Sequence, residues 1–170
     1  MSDNVVSVEW FERGRKHRYG RANPERFDEP VWEWMERENV SYFDLNERFG
    51  IPWDFADERI EADWWFRRLS EARVDIGDGR SLWIGGMADT YGVDAVYYND
   101  VRLYHSDEAE ARRLIAIYGY PRDVFPGICG ASATFVGEYV YVIGGVEEGP
   151  RRPGRGWGCV HLWGSRGGAR

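Results

Sequence analysis

The chain has 170 residues, a formal net charge of -7 and an isoelectric point near 5.1. A surface with this balance repels polyphosphate and anionic lipid, so nucleic acid and membrane surfaces are disfavoured as partners. Aromatic residues make up 16% of the chain, and most of these rings must be buried or must stack on a partner. There is no apolar run of about 18 residues and no signal-peptide pattern at the start, which predicts a cytoplasmic protein.

The N-terminal region combines one predicted strand with helices. Residues 4–11 are rich in β-branched and aromatic side chains, which predicts a short strand. A first helix is predicted where Asp28 can act as the cap and Pro30 lies in the first turn. Its inward stripe is apolar and consists of Val31, Trp34 and Met35.

Two more helices are predicted before the β region. One begins at Ser41, with Asp44 three residues later as in a capping box, and ends at Gly50. The other covers residues 54–69, whose last part is also compatible with an extended segment because its aromatic residues have no helical spacing. Three short helices cannot bury so many rings among themselves, so their inward side chains are predicted to pack on a sheet. These side chains are Trp34, Met35, Leu45 and Phe49.

From residue 71 onward the hydrophobic period changes to two and glycine becomes frequent, which is typical of β structure. Asp78-Gly79 predicts a hairpin, and Gly137 stands in the turn of a second hairpin. Strands are predicted at 72–76, 80–85, 96–104, 112–118, 131–136, 138–143 and 158–163.

A single offset of 59 residues relates two parts of this β region, as in the separation of Gly85 from Gly144. It aligns residues 73–86 with residues 132–145 without a gap. It also aligns residues 100–104 with residues 159–163. Equal spacing predicts one supersecondary unit used twice, and such repeats more often build a binding surface than a reaction centre.

Each copy contains a double glycine at the end of the second hairpin strand, followed later by an aromatic residue. These residues are Gly85-Gly86 with Tyr104, and Gly144-Gly145 with Trp163. The pattern resembles the kelch repeat over roughly residues 72–163, and the resemblance implies blade-like antiparallel units. The chain is also similar to uncharacterised kelch-like proteins with a short helical N-terminal region, for which no activity is implied.

The number of units argues against a ring. A propeller closes with about four to eight four-stranded blades, whereas this chain has at most two units. By the offset, the outer strand of the second unit would lie beyond residue 170, and unpaired edges promote aggregation unless they are covered. We therefore predict an α+β fold that is not a closed propeller. Val5 to Trp10 is predicted to pair with the strand at 158–163 or with another free edge.

Three regions follow from these patterns. Residues 1–70 are predicted to form the N-terminal strand and helical region, and residues 71–163 the two kelch-like units. Residues 164–170 form a glycine-rich tail.

The sequence offers few candidates for catalysis. His17, His105 and His161 lack the spacing of metal ligands, so no metal and no other cofactor is expected. Cys129 and Cys159 are expected to be reduced, and nothing marks either thiol as an activated nucleophile. An enzyme of unknown type, with a site on the kelch-like loops, remains an alternative.

A helix-turn-helix is a further alternative, because Ser41 to Phe49, the turn at 50–52 and a following helix have its proportions. Acidic residues dominate the helix that would enter the groove and would meet DNA phosphate unfavourably. They are Asp54, Asp57, Glu58, Glu61 and Asp63, against Arg59. Charge therefore disfavours DNA binding.

The favoured hypothesis is a non-enzymatic protein-interaction module. The loops at 87–95 and 146–154 correspond under the offset and are expected to emerge on the same side. The candidate binding residues in and near these loops are Asp89, Tyr91, Asp94, Arg151, Arg152 and Trp157. The expected partner is an unidentified protein. Alternatives are a small acidic inhibitor or immunity-type protein that neutralises a basic enzyme, and a homodimer formed through an open sheet edge.

Overall fold

The computed structural model of the chain describes residues 6–51, 63–88, 95–105, 113–147 and 161–164. Over these residues the fold is α+β, with three short helices and antiparallel sheets, none of which closes into a barrel or a propeller. The predicted fold class is therefore confirmed. The helices are α1 (Val8–Gly14), α2 (Pro30–Glu38) and α3 (Tyr42–Phe49).

The strands, numbered in chain order, form one large sheet, one smaller sheet and two short ladders. They are β1 (Glu25–Phe27), β2 (Ala72–Gly77), β3 (Arg80–Ile84), β4 (Met87–Ala88), β5 (Val96–Tyr97), β6 (Val101–His105), β7 (Arg113–Gly119), β8 (Ile128–Cys129), β9 (Ser132–Val136), β10 (Tyr139–Ile143), β11 (Val146–Glu147) and β12 (His161–Gly164). The first sheet has the order β1-β7-β6-β3-β2 and the second has the order β12-β10-β9. The short ladders join β4 to β5 and β8 to β11.

The capping box of α3 forms as predicted. The Ser41 amide donates to Asp44 Oδ2 at 2.7 Å, and the Asp44 amide donates to Ser41 Oγ at 3.3 Å. Gly50 ends the helix in the left-handed conformation, with a φ of 63°. Helix α2 also forms where Pro30 predicts it, although its cap residue is Glu29 rather than Asp28.

The predicted strand at residues 4–11 is wrong, because α1 occupies Val8–Gly14. The Ser7 hydroxyl caps this helix by accepting the Trp10 amide at 3.2 Å. Val6 and Phe11, at the two positions that a hydrophobic staple joins, are both buried in the same cluster. Cap and staple thus outweigh the β propensity of the valines.

A different N-terminal segment covers the edge of the first sheet. Val5 to Trp10 does not pair with a strand over its described part, whereas Glu25–Phe27 pairs antiparallel with β7. Gly119 makes this approach possible, since a Cβ there would collide with the Phe27 ring. The prediction that Val5 to Trp10 covers a free sheet edge is therefore wrong, and Glu25–Phe27 covers the edge of β7 instead.

Two other predicted elements need correction. Most of the predicted helix at 54–69 lies outside the described residues, and its described part is not helical but contains bends and two isolated bridges, from Asp63 to Lys16 and from Leu69 to Met87. The predicted strand at 96–104 is interrupted between β5 and β6. There Asn99 turns inward and donates its amide to the carbonyl oxygens of Tyr120 and Phe125 at 2.8 and 2.7 Å.

The internal repeat is confirmed in strand order and in the pairing of its second and third strands. We call β2, β3, β6 and β7 the first unit, and β9, β10 and β12 the second unit. The central strands β3 and β10 correspond under the offset, as do β6 and β12. The pairing of Arg80 with His105 is repeated by the pairing of Tyr139 with Gly164. The first hairpin differs by a bulge between Asp75 and Gly77 that the second hairpin lacks.

The first sheet is covered on both faces. Its front face packs on the second unit and carries Ala72, Leu82, Ile84, Val101, Leu103 and Ala116. Its back face carries Trp83, Arg102, Tyr104 and Ile117, and lies against the helical region. The second unit contributes its own back face, with Val140 and Val142 buried, to the core that it shares with the first unit.

The helical layer packs on the sheet through a tryptophan that differs from the predicted one. Met35 and Leu45 are buried as expected, while Trp34 and Phe49 are only partly buried. Trp32 is 1% exposed, and its indole N–H donates to the Gly14 carbonyl at 2.7 Å. Its ring stacks on Trp64 with centroids 4.9 Å apart.

We predict that Trp32→Ala lowers the free energy of unfolding by about 3 to 5 kcal/mol, because it leaves a ring-sized cavity between helix and sheet. Trp34→Ala, two residues away on the same helix, is the matched comparison and should lose less than half as much. Urea denaturation followed by far-UV circular dichroism measures both values. Equal losses for the two variants would contradict the burial described above.

Candidate functional site

The six candidate binding residues lie outside the described residues, since they fall within 89–94 and 148–160. They are Asp89, Tyr91, Asp94, Arg151, Arg152 and Trp157. The described strands that lead into the two loops, β4 and β11, do correspond under the offset. The loop hypothesis therefore stays a prediction, and the candidate sites argued below come from other residues.

A buried group of charged side chains lies behind the first sheet. Arg102, on β6, is fully buried and contacts Glu71, while its Nη1 lies 3.5 Å from Glu36 Oε2 on α2. Arg68 is also buried, and its Nη1 lies 2.9 Å from Asp100 Oδ1. We call Arg68, Arg102, Asp100, Glu71 and Glu36 the ionic cluster.

Neutral groups complete the ionic cluster. Arg102 Nη1 donates to the Phe66 carbonyl at 2.8 Å, and the Tyr104 hydroxyl donates to Glu36. Arg68 donates to the Gly85 carbonyl at 3.0 Å and lies over the Tyr98 ring, 3.8 Å from its centroid. The cluster thus ties α2 and residues 63–71 to the first sheet.

Burial dominates the electrostatics of the ionic cluster. It raises the pKa of Asp100, an effect that the neighbouring Arg68 opposes, and it lowers the pKa of Arg102. Both side chains are 0% exposed, so neither can contact a substrate in solution. The arrangement therefore serves the attachment of the helical region better than it serves catalysis.

His17 lies beside this cluster and is largely enclosed by aromatic rings. Its ring meets those of Tyr98 and Tyr19 edge to face, with centroids 5.0 and 5.2 Å away. Its Nε2 is buried without a hydrogen-bond partner among the described residues. Burial, together with the charges of Arg68 and Arg18, lowers the pKa of His17 to about 3. The imidazole is therefore neutral in the folded chain at pH 7.

The second candidate site is an exposed apolar face on the second unit. Along β10, Val140 and Val142 point into the core, while Tyr139 and Ile143 are 43% and 51% exposed. Val136 of β9 pairs directly with Tyr139 and is 55% exposed. We call the outward residues Val136, Tyr139, Tyr141 and Ile143 the open face.

The open face has no charged side chain along its two strands. Ser132, Thr134 and Val136 alternate outward on β9 and pair with Ile143, Tyr141 and Tyr139. Glu138 and Glu147, both exposed, lie at its margins in the hairpin turn and on β11. Apolar centre and polar margin are the arrangement seen in many protein-binding surfaces.

Metal binding, thiol chemistry and membrane insertion find less support within the described ranges. No group of three His, Cys, Asp or Glu side chains there is placed to hold a metal ion. Cys129 is a buried free thiol whose pKa is raised by burial, while Cys159 lies outside these ranges. No helix of the described part is long and apolar enough to cross a membrane.

No family model, curated protein or solved structure matches the chain. Its function must therefore be inferred from its own residues. The sequence patterns predicted neither the ionic cluster nor the open face. The signal for the ionic cluster was Arg102, a charge within the otherwise apolar run of β6. The signal for the open face was the unbroken apolar run of β10, because a strand with one solvated face alternates between apolar and polar residues.

We predict that the stability of the chain falls by about 2 kcal/mol between pH 7 and pH 5 through His17 alone. The unfolded chain takes up a proton on this histidine below about pH 6.5, whereas the folded chain does so only near pH 3. The unfolded state therefore binds more protons in this window, and stability is lost as the pH decreases.

Urea titrations at pH 7, 6 and 5 measure this effect. His17→Gln should remove most of this pH dependence, whereas Ala22→Gln, at an exposed position, changes no titratable group and is the control that should leave it unchanged. A slope that is the same in all three proteins would rule out a buried, neutral His17.

Proposed function

We propose that the chain is a non-enzymatic protein-interaction module whose binding surface includes the open face. The observation that carries the proposal is the exposure of neighbouring large apolar side chains on one side of a paired hairpin. Single exposed apolar residues are ordinary, but a contiguous group on a regular sheet usually marks a contact surface.

The composition of the open face supports binding. Tyr139 and Tyr141 bring large rings with few rotatable bonds, so that ordering them on binding loses little entropy. Ile143 and Val136 add apolar area that becomes buried in a complex. The strands that present these residues are anchored from behind by Val140 and Val142, so the face is held rigid before binding.

The distribution of polar groups favours binding over catalysis. Asp100 and Arg102, whose pKa values are shifted by burial, lie fully buried between sheet and helices. The surface that is exposed and preorganised, by contrast, carries hydroxyl and hydrocarbon groups. A kelch-like identity of the two units belongs to the same proposal, and the antiparallel order of β2, β3, β6 and β7 with a double glycine after β3 supports it.

We predict that a tagged chain retains, from extract of the cells that make it, a protein whose binding depends on Ile143. Once purified, that protein should bind Ile143→Lys at least about tenfold more weakly than wild type, because the ammonium group would lose its hydration in an apolar contact. Isothermal titration calorimetry with purified proteins measures the two dissociation constants.

Ala22→Lys is the matched control, because it adds the same charge at an exposed position in the N-terminal region. It should leave the affinity unchanged, and both variants should keep the free energy of unfolding within about 0.5 kcal/mol of wild type. A partner that binds wild type and Ile143→Lys equally well would show that the open face is not the binding surface.

A further inference from the structure

We infer that the open face binds a third blade-like β unit, supplied by a partner polypeptide, in the orientation that the second unit adopts on the first. This inference rests on the proposed function and names the chemistry of the partner. The reason is that the chain itself contains one complete example of the contact, between its own two units. The face of β10 that corresponds to the covered face of β3 has no such cover among the described residues.

The occupied example is the packing of the second unit on the first. Leu82 and Ile84 of the front face are 1% and 2% exposed, and they share one buried cluster with Val140 and Val142 of the second unit. Under the offset, Leu82 and Ile84 correspond to Tyr141 and Ile143 of the open face. Ile143, however, is 51% exposed.

The residues around the double glycines repeat this difference independently. Ile128, which leads into the second unit, is 3% exposed and lies over Gly85, where a Cβ would collide with its carbonyl oxygen. That carbonyl also accepts the Gly86 amide at 2.8 Å. The equivalent of Gly85 is Gly144, and no described atom lies within 4 Å of the position of a Cβ there.

The residue that leads into the first unit can be compared with Ile128, which leads into the second. Leu69 corresponds to Ile128 under the offset, yet it is 59% exposed. Among the described residues, the two-unit stack therefore has an exposed leading residue, Leu69, at one end, and Gly144 with an exposed apolar face at the other. When units stack in the same orientation, the two ends of the stack expose different surfaces, as they do here.

This difference between the two ends decides against a second copy of this chain as the occupant. Head-to-tail packing would require the back face of the first unit, where Ile117 is buried against the helical region and Arg102 is paired with Glu36. A front-to-front dimer has no equivalent within the chain. The partner is thus expected to present an antiparallel sheet with β-branched residues at alternate positions, preceded by an apolar leading residue.

The test uses the full chain extended after Arg170 by a second copy of residues 112–170, which preserves the offset of 59 residues. The appended copy supplies the residues with which the second unit packs on the first, at the high effective concentration of a fusion. It carries Tyr139→Phe and Tyr141→Phe, so that labelled peptides of the original open face can be identified by mass.

We expect nitration of the original Tyr141 by tetranitromethane to slow at least about fivefold in the extended chain, because its ring is partly exposed in the unextended chain and its equivalent in the first unit, Leu82, is only 1% exposed. The control is the same extended chain with Val140→Asp in the appended copy, in which Tyr141 should react as fast as in the unextended chain. Unchanged reactivity of Tyr141 in the extended chain would overturn the inference, as would equal protection in the control.

Sedimentation velocity of the unextended chain provides the second measurement. A dimer at micromolar concentration that Ile143→Lys abolishes would assign the open face to a second copy and overturn the inference. Because the extended chain carries its own ligand, its result does not depend on a natural partner. Failure of this inference and failure of the proposed function are therefore separate outcomes.

Discussion

Burial of the first sheet on both faces is the constraint on which the rest of the structure depends. An antiparallel sheet with one solvated face alternates between apolar and polar residues, but β3 carries Leu82, Trp83 and Ile84 in succession and buries all three. Two layers are needed to cover such a strand. The second unit supplies one on the front, and the helical region supplies the other on the back.

The two layers are attached by different physical means. The front contact is apolar, and its β-branched side chains pack at alternate positions of two sheets. The back contact includes the ionic cluster, whose charges gain little net stability from pairing once the loss of hydration is counted. A buried guanidinium, however, has few positions in which its donors find acceptors, and Arg102 finds them on Glu36, Glu71 and Phe66. The ionic cluster thus restricts how the helical region can sit on the sheet.

The repeat explains why the front layer and the candidate site are related. A repeat unit with two apolar faces always leaves one of them uncovered at the end of a stack unless a cap intervenes. At the beginning of this stack the helical region is that cap, and β1 covers the outer edge of β7. The open face lies at the other end, and its strand β10 corresponds to β3, whose front face is buried.

Local chemistry made several parts of the structure predictable from sequence. The capping box at Ser41, the hairpin at Asp78-Gly79 and the equal spacing of the double glycines each depend on residues that are close in the chain. For the same reason the offset of 59 residues was sufficient to predict equivalent strands and the α+β class. Predictions failed where two local signals competed, as at residues 4–11, where β-branched side chains masked the cap and staple of α1.

The tertiary structure alone decided which face of each element is buried and against what. Trp32 and Trp34 flank the same helical stripe, and the position of Trp64, far away in the chain, selects Trp32 for the core. Glu25–Phe27 becomes an edge strand only because Gly119 leaves room for the Phe27 ring. The sequence by itself therefore determined the repeat, the caps and the turns, since these arise from neighbouring residues. The ionic cluster and the open face depend on which surfaces meet after folding, which spacing along the chain does not encode.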